Sequence, residues 1–454
     1  MSEIDRDQDV DLVAVAELLN THLDGALVRN AYERLRGTER KRAWTLDHLM
    51  AFWVAVTLRA PPSLSHALRE ASASPASGYP HVPASKQAFF KRSHQMRWEF
   101  YAEVFRSFVR STNETEPARF ARHHVEIAEG FSRILVIDGS SLDSVARRLK
   151  ITWQDEATPL PGSMLGCYDL MRGTLADLLY TPTKRKGELV LAREALERMP
   201  PGSLLLGDRL YGTPKFLNDV QESGHFGVFR KRPQVTVPEK ELLSRDIEAE
   251  RTLEDWRVRL GTKVQATARL IRLTIGDKTY EFVTNILDPE RLPAHAAADL
   301  YRDRWEVERM FQDLKTVLNL DCFYCGNTNA VALQLYASAI VYTGLRLGQG
   351  RIAAEASIEP ERISTGKLFP LLAATTATLT TLEYGFFRTE LANPEVALRK
   401  PDWREACHLK IRLGDILADK TRGKRPRRKR KYSPRPQRWR ELPPPPGGPG
   451  PPQS

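Results

Sequence analysis

The chain of 454 residues is 41% hydrophobic and 28% charged, a balance typical of globular proteins with a large apolar core. Four cysteines are too few for a disulfide framework at this length, which excludes the small disulfide-stapled class. The formal net charge is +11, and residues 420–440 hold twelve Lys and Arg without an acid; subtracting those twelve leaves −1 elsewhere. Such an arm either binds nucleic-acid phosphates or stays a solvated tail without a specific partner.

Neither end of the chain nor its apolar stretches indicate a membrane protein. Residues 1–12 are acidic and polar, so we expect no secretory or transit segment. The longest apolar stretch, 330–345, is interrupted by Gln334, Tyr336, Ser338 and Tyr342, so it is too short and too polar to span a bilayer and predicts a buried helix. Cys322 and Cys325 form a lone CxxC, which favours packing thiols over structural zinc. We therefore expect a cytoplasmic protein without membrane contact.

Residues 1–127 are predicted to be helical. Amphipathic stretches at 12–20, 46–58 and 96–109 are separated by connectors rich in Pro, Ser and Gly. Ser85 is placed to cap a helix that begins at Lys86 and is followed by further basic residues, namely Lys91, Arg92 and Arg97. A basic helix after a short turn suits a DNA groove, and it equally suits a solvated face packed by aromatic rings. Both interpretations stay open.

From residue 131 the pattern changes to strands alternating with helices. An apolar run from residue 132 that ends in Asp138 and Gly139 predicts a first strand, and further runs predict strands at 164–170, 174–180, 203–206 and 226–230, with helices at 187–199 and 214–222. This β-β-β-α-β-α-β order is ribonuclease-H-like, a mixed sheet with helices on its faces. Residues 233–290, approximately, alternate apolar and polar positions and predict an antiparallel β-rich insertion. Helical patterning resumes at 294, runs past 315, and recurs at 329–347 and 368–382.

Two acids follow strands of this predicted sheet. Asp138 and Asp208 each come just after a short apolar strand, and neighbouring strands that end in this way bring their carboxylates to one edge. Two carboxylates so close repel each other unless a cation lies between them. Oxygen ligands with room for water suit Mg²⁺ or Mn²⁺. A single strand-end aspartate is more often a turn former, so the pair alone is moderate evidence.

A third acid lies in the helix predicted across residues 301–315. At about 100° per residue, four side chains of this helix fall within roughly 60° of one another: Tyr301, Arg304, Glu308 and Lys315. Spacing alone makes such a charged stripe a solvated face more often than a site. The stripe also suits a metal–phosphate centre, where the carboxylate completes the metal cage and the cations hold phosphate oxygens.

With these motifs in order, the chain resembles the cut-and-paste DDE transposases of the insertion sequence 4 family. Their Tyr-x2-Arg-x3-Glu-x6-Lys signature is matched by Tyr301, Arg304, Glu308 and Lys315, and the first two acids occur as VIDGS at 136–140 and GDRLYG at 207–212. The resemblance covers roughly 133–347. It implies that Asp138, Asp208 and Glu308 are catalytic and hold two Mg²⁺ or Mn²⁺ ions, with Asp138 bridging both, while the other signature residues bind phosphates.

The resemblance also implies partners and a domain layout. The partners are double-stranded DNA, as transposon terminal inverted repeats and as target, and a second copy of the chain or more on that DNA, with localisation at the nucleoid. Residues 1–127 take the DNA-end-binding position. Residues 128–350 form the ribonuclease-H-like catalytic domain around the insertion, and 351–419 are helical with dimer or DNA contacts. From composition alone, residues 420–454 are predicted to be a basic, then Pro/Gly-rich, disordered tail, which the family does not lead us to expect.

A hairpin intermediate on the transposon end, which the resemblance implies, needs an aromatic ring to hold a flipped base. Trp256 is our candidate and Tyr280 the reserve, although Trp256 also suits a cover for the apolar face of the insertion. The basic runs 184–186 and 230–232 suit either DNA contacts or solvated loops. Two rival functions are a transposase-derived DNA-binding protein without catalysis and a ribonuclease-H-like, structure-selective nuclease.

Overall fold

The computed structural model describes residues 4–12, 18, 21–74, 77–141, 162–182, 187–248, 251–316, 324, 327–376 and 410–418, without the side chains of 140, 141, 315, 316 and 410. Residues 1–417 form one compact unit and 418–454 another. Every described helix and strand belongs to the first unit. The predictions for the basic run 184–186, the CxxC cysteines and the tail lie outside the described residues.

The first part of the chain is helical, as predicted. Strand β1 (Asp9–Asp11) precedes five helices: α1 (Gly25–Arg36), α2 (Leu46–Arg59), α3 (Leu64–Ala73), α4 (Lys86–Gln95) and α5 (Trp98–Thr115). Ser85 caps α4 by accepting a hydrogen bond from the Ala88 N–H at 3.2 Å. Thr45 caps α2 in the same way through the His48 N–H. The predicted helix at 12–20 lies mainly outside the described residues.

A mixed sheet follows the short helix α6 (Val125–Ala128). Its elements run in the predicted order: β2 (Ile134–Ser141), β3 (Ser163–Asp169), β4 (Thr174–Thr181), α7 (Glu188–Leu196), β5 (Leu204–Gly207), α8 (Pro214–Glu222) and β6 (Phe226–Arg230). β2, β3 and β4 are antiparallel neighbours, whereas β2, β5 and β6 are parallel. The parallel strands are brought alongside each other by the crossover helices α7 and α8, since parallel pairs need a long connection.

Four antiparallel strands then extend the same sheet. They are β7 (Glu239–Glu248), β8 (Arg251–Leu260), β9 (Ala266–Ile275) and β10 (Lys278–Thr284). β10 pairs with β6, so the nine strands lie in the order β4-β3-β2-β5-β6-β10-β9-β8-β7. β7 is the outer strand, and its largely exposed sequence EKELLSRDIE is rich in charge, which discourages pairing with another sheet edge.

The helix predicted through 294–315 is two helices, α9 (Ala294–Arg302) and α10 (Trp305–Thr316). At the break, the Asp303 N–H bonds to Leu300 O and the Arg304 N–H to Tyr301 O, both tight i→i−3 bonds. The Asp303 carboxylate is meanwhile held by His123 and His124. The prediction of one continuous helix was therefore wrong, because contacts from 180 residues away fix this turn.

The rest of the unit is built around a long central helix. Helix α11 (Thr328–Glu355) is longer than the predicted 329–347 and is almost entirely buried. It alone among the described helices is long and apolar enough to cross a membrane, and that apolar window is fully buried within the protein. Residues 365–376 are helical, and β11 (Lys410–Arg412), paired with β1, leads into α12 (Leu413–Ile416).

The two faces of the sheet pack on different apolar clusters. On one face, which we call the acid face, Val136 and Leu206 join the large cluster formed with α10 and α11. On the opposite face, Ile137 and Leu205 join the cluster formed with α7 and α8. Because side chains alternate along a strand, positions 138 and 208 fall on the acid face.

A buried ion pair joins the added strands to α9. Arg269, fully buried on β9, donates to the buried Asp255 carboxylate on β8. Its guanidinium also donates to three backbone carbonyls of the segment that leads into α9, those of Ile286, Asp288 and Leu292. Those bonds satisfy a charge that burial would otherwise penalise heavily, and they fix where the following helices start.

We expect Arg269→Leu to lower the free energy of unfolding by about 3–5 kcal/mol, because Asp255 would be left buried and unpaired. Arg272→Leu, which removes an ion-paired arginine from the same strand, is the control. Arg272 is one-third exposed, so its loss should cost less than about 1 kcal/mol. Urea unfolding measures both. The double variant Asp255→Leu/Arg269→Leu should recover much of the stability lost in Arg269→Leu. Equal losses of stability in Arg269→Leu and Arg272→Leu would contradict the role given to Arg269.

Candidate active site

The two aspartates lie in one row of the sheet, but Asp138 lies within β2, which continues to Ser141, and does not follow the strand as predicted, whereas Asp208 directly follows β5. β2 and β5 are parallel, with Val136 opposite Leu206, so continuing this register by two residues sets Asp138 opposite Asp208. Neighbouring strands are about 4.8 Å apart, and both side chains belong to the acid face. The sequence prediction that these carboxylates meet at one sheet edge agrees with this register.

The electrostatics of Asp138 identify what surrounds it. Burial raises the pKa of Asp138 to about 7, and the Glu188 carboxylate adds to this rise. Arg304 acts in the opposite direction, while Asp208 and Glu308 raise the pKa further. All three predicted acids therefore lie within electrostatic range of one another, together with a fourth acid and one arginine.

Helix α10 brings the third acid to the sheet. Val307, Met310 and Leu314 on one side of α10 are buried in the acid-face cluster. Gly166 of β3 allows this approach, because a Cβ there would lie 3.2 Å from the Met310 Cε and 3.1 Å from the Phe311 ring. The side chain of Glu308 is 38% exposed and projects from the rim of this contact.

The predicted signature residues are only partly in contact. Arg304, at the break before α10, donates from Nη2 to Glu308 Oε1 at 2.6 Å, and its guanidinium lies 5.8 Å from the Tyr301 ring. Burial raises the pKa of Tyr301; Arg304 and Arg230 counteract this rise, and Asp208 adds to it. Tyr301 thus faces the same centre. The backbone of Lys315 lies in α10, but its side chain is outside the described residues.

One buried donor of the site is left without a partner. Among the described residues, the Arg304 Nε finds no hydrogen-bond acceptor although it is buried. A buried guanidinium N–H without an acceptor costs free energy, so the atom suits an anionic oxygen from a ligand. Another donor of the same guanidinium, Nη2, already holds Glu308, which matches the predicted pairing of carboxylate and phosphate binder.

Glu188 is a site residue that sequence reasoning missed. It opens α7 on the opposite face and reaches the sheet edge, where its Oε1 accepts from the Gly139 N–H at 3.1 Å. The same oxygen accepts from the Tyr211 hydroxyl at 2.6 Å. Burial raises the pKa of Glu188, and the field of Asp208 adds to the effect. Glu188 therefore links Gly139, which follows Asp138 in β2, to Tyr211 in the loop after Asp208.

Gly139 is required by this link. A Cβ on Gly139 would lie 2.3 Å from the Glu188 Cδ and 2.4 Å from its Cγ, closer than non-bonded carbons come. Gly139 and Tyr211 belong to the two acid motifs, VIDGS and GDRLYG, and both contact the same carboxylate. The feature that could have pointed to Glu188 was its position in the first turn of a helix that packs against the strands carrying both motifs.

The two aromatic candidates lie on different faces. The register runs from Gly207 through Phe229, Val283 and Leu270 to Trp256, all on the opposite face. Trp256 is thus four strands, about 19 Å, from β5 and packs on the cluster of α7 and α8, with the Lys240 ammonium 5.0 Å from its ring. Tyr280 lies on the acid face, two strands or about 10 Å from β5.

Several predicted basic residues already have protein partners. Arg230 follows Val228 on the acid face and places its guanidinium 5.5 Å from the Tyr280 ring. Lys231 pairs with Glu281 at 3.2 Å. On the N-terminal basic helix, Arg92 pairs with Glu39 and donates to Trp44 O, so this side chain stabilises the helical region.

These observations define an α/β protein with one aspartate on a central strand, a second just after the parallel neighbouring strand, and a glutamate on the helix that covers them. Residues 129–343 match the family model described as the transposase DDE domain. The region that carries the three motifs is therefore similar to the DDE domain of transposases. The resemblance inferred from the three motifs is confirmed at the level of that family.

Curated relatives agree with this assignment. The chain is 36% identical over 97 residues to y4zB of Sinorhizobium fredii, a protein named as a transposase, covering 21% of this chain and 27% of the relative. It is 29% identical over 148 residues to a transposase for insertion element IS5377 of Geobacillus stearothermophilus, covering 32% and 38%. A third match, 24% over 160 residues, is to the IS4SA transposase of Synechocystis, covering 34% and 44%.

The chain therefore spans less than half the length of each of these relatives. Among solved structures, a piggyBac transposase synaptic complex with hairpin DNA has a TM-score of 0.42 and 10% identity to this chain, covering 91% of this chain and 86% of the other.

The crowding of acids should be measurable in the metal-free protein. The pKa of Asp138 rises from 3.8 to about 7 on folding, so its contribution to stability is lost as pH rises through this range. We expect Asp138→Asn, which removes the charge, to raise the free energy of unfolding at pH 8 by about 1–3 kcal/mol. The gain should vanish near pH 4.

Chemical unfolding in the presence of a chelator, followed from pH 4 to pH 8, measures this effect. Asp246→Asn, on the exposed outer strand β7, is the control and should show no pH-dependent gain. An Asp138→Asn protein that is no more stable than the unaltered chain at pH 8 would mean that burial and the neighbouring carboxylates do not raise the pKa of Asp138.

Proposed function

We propose that the chain is a cut-and-paste DNA transposase of the insertion sequence 4 group. The observation that carries the proposal is that Asp138 lies within the fields of Asp208 and Glu308, the two other acids of the recognised motifs. The reaction is in-line attack on DNA phosphodiesters. It begins with hydrolysis at the transposon end, passes through a hairpin on that end, and finishes with strand transfer by the freed 3′-OH.

The proposal includes a ribonuclease-H-like fold and the predicted division of the chain. The strand order β4-β3-β2-β5-β6 with β5 and β6 parallel to β2 supports that fold for residues 128–350, with β7 to β10 as its insertion. Residues 1–127 are assigned to DNA-end binding and 351–419 to dimer or DNA contacts. The basic tail 420–454 is assigned to phosphate contacts on DNA.

The donor set fits divalent cations. Asp138, Asp208 and Glu308 offer only carboxylate oxygens, the ligands that Mg²⁺ and Mn²⁺ prefer. Burial is the main cause of the raised pKa of Asp138, and the nearby carboxylates of Glu188, Asp208 and Glu308 add a repulsion that bound cations would relieve. Two such ions, when bound, would activate the attacking oxygen and stabilise the leaving oxygen of a phosphodiester.

The chain's own residues have separate roles in this proposal. Arg304, whose buried Nε has no hydrogen-bond acceptor among the described residues, binds a phosphate of the cleaved end, supported by the Tyr301 hydroxyl and Lys315. Glu188 is a positioning residue, because it holds Gly139 and Tyr211 and touches neither DNA nor metal in this assignment. Positioning of the reacting groups is the main contribution that a protein can make to phosphoryl transfer.

For the aromatic ring that holds a flipped base, we now favour Tyr280 over Trp256. Tyr280 shares the acid face and has the Arg230 guanidinium over its ring, which suits stacking of a base beside a phosphate. Trp256 lies on the opposite face and packs on the α7–α8 cluster. Within one copy of the chain, Trp256 is therefore the weaker candidate.

The proposed partners follow from this chemistry. They are double-stranded DNA with the terminal inverted repeats of the element, target DNA, and at least one further copy of the chain, since two ends must be joined. Such a protein works in the cytoplasm on the nucleoid. The rivals remain a DNA-binding derivative without catalysis and a structure-selective nuclease. Intact Asp138, Asp208 and Glu308 weigh against the first rival, and the Arg304–Glu308 pair on a phosphate-binding helix weighs against the second.

An assay of cleavage and joining on DNA carrying the ends of the encoding element, with Mn²⁺, separates these functions. We expect Asp138→Ala, Asp208→Ala and Glu308→Ala each to lower cleavage at least about a thousandfold, because each removes a ligand of the catalytic centre, while end binding is retained. Asp246→Asn, on the exposed outer strand β7, is the control and should keep cleaving. Hydrolysis without joining would indicate the nuclease, and binding without either reaction the inert derivative.

A fluorescent base analogue beside the cleaved bond tests the aromatic assignment. We expect Tyr280→Leu to lower hairpin yield and the fluorescence of the unstacked base about tenfold, as loss of one base–aromatic stack predicts. Tyr280→Phe should restore both. Trp256→Leu is the matched change on the other face and should leave both near the unaltered level. The reverse pattern would return the role to Trp256.

A further inference from the structure

A second group of metal-ligand side chains lies beside the helix break, away from the carboxylate centre. His123 Nε2 and His124 Nε2 each lie 2.9 Å from the same oxygen, Oδ2 of Asp303. The potential ligand atoms of all three residues lie within 4.8 Å of one another. Two imidazole nitrogens and a carboxylate oxygen are the donor types of zinc sites.

The backbone holds the two histidines in place. They lie in the 3-10 turn Arg122–His124, which follows Ala121 in a left-handed conformation with φ 46°. That conformation is costly for a residue other than glycine. It is held by the Ala121 N–H bond to Glu361 at 3.3 Å and the adjacent Phe120 N–H bond to Met171 O at 2.9 Å. The turn therefore presents both imidazoles before any ligand binds.

The geometry needs only a small adjustment to hold an ion. Ligand atoms about 2.1 Å from a tetrahedral ion lie about 3.4 Å apart, so the 2.9 Å separations would have to open by about 0.5 Å. The group combines one buried ligand, His124, with one that is accessible to solvent, His123. The side chain of His124 is 3% exposed, that of Asp303 is 22% exposed and that of His123 is 57% exposed.

We propose that His123, His124 and Asp303 form a binding site for a transition-metal ion of the zinc class, separate from the carboxylate centre. Nitrogen ligands favour such an ion over Mg²⁺, which takes oxygen ligands. Three protein ligands with the exposed His123 at the rim leave a fourth position for water. Asp303 serves this site, whereas Glu308, five residues later, pairs with Arg304.

An ion at this site would join two segments that meet at the candidate active site. The 3-10 turn lies shortly before β2, the strand of Asp138, and Asp303 lies in the break just before Arg304. Binding would fix the end of α9, which carries Tyr301, and the break after it, which carries Arg304. The binding itself does not depend on the proposed function, because its ligands are none of the three catalytic acids.

Equilibrium dialysis of the full-length chain against Zn²⁺, with excess Mg²⁺ to occupy the carboxylate centre, tests the proposal. The unaltered chain should retain one zinc ion, and Co²⁺ in its place should give the visible absorption of a tetrahedral site. His123→Ala, a change at an exposed side chain, should weaken zinc binding at least about tenfold, as should His124→Ala and Asp303→Asn.

His66→Ala is the matched control, since His66 is also exposed and also lies beside an acid, 3.3 Å from Glu70. It should leave zinc binding unchanged, as should Asp138→Asn and Glu308→Gln. The retention of zinc by those last two variants separates this site from the transposase proposal. Zinc binding that survives His123→Ala at full affinity, or the absence of any retained zinc in the unaltered chain, would overturn the proposal.

Discussion

The structure depends on holding carboxylates together against their mutual repulsion. Parallel pairing of β2 with β5 sets Asp138 and Asp208 in one row, and packing of α10 on the same face adds Glu308. Burial raises the pKa of Asp138 to about 7, and the carboxylates of Glu188, Asp208 and Glu308 add to the rise. A fold assembled only for stability would separate these charges. Keeping these carboxylates close together around the partly buried Asp138 costs free energy, which binding of a cation would offset. Groups with strongly shifted pKa values of this kind are typical of functional sites.

Support for this centre comes from both faces of the sheet. Helix α10 covers the acid face, and Glu188 reaches the sheet edge from α7 on the opposite face to bind Gly139 and Tyr211. The two short motifs that contain the aspartates are thus tied by one carboxylate. Arg269 makes a comparable link further along the chain, since it holds the segment between β10 and α9 and so sets where the Tyr301–Arg304 turn begins.

Much of the fold could be predicted because its signals are local. Pro214–Glu222 and Phe226–Arg230 have the predicted bounds, and Ser85 caps α4 as its residue type suggests. The break at Asp303 could not be predicted, because it depends on histidines 180 residues away. Glu188 looked like any acid in a first helical turn. The order of preference between Trp256 and Tyr280 required strand register, since a shift of one residue exchanges the two faces.

The union of β6 with β10 into one ladder has a mechanical consequence. Adjacent strands in a sheet are rotated by about 20–25°, so eight successive steps from β4 to β7 accumulate roughly 160–200°. With this average twist, the direction of β7 is rotated by nearly half a turn relative to β4, the strand at the opposite edge. A continuous ladder of backbone hydrogen bonds joins β7 to the strands that carry the acids. Because β7 to β10 belong to the same sheet, their orientation relative to any molecule bound at the acids is set when the chain folds.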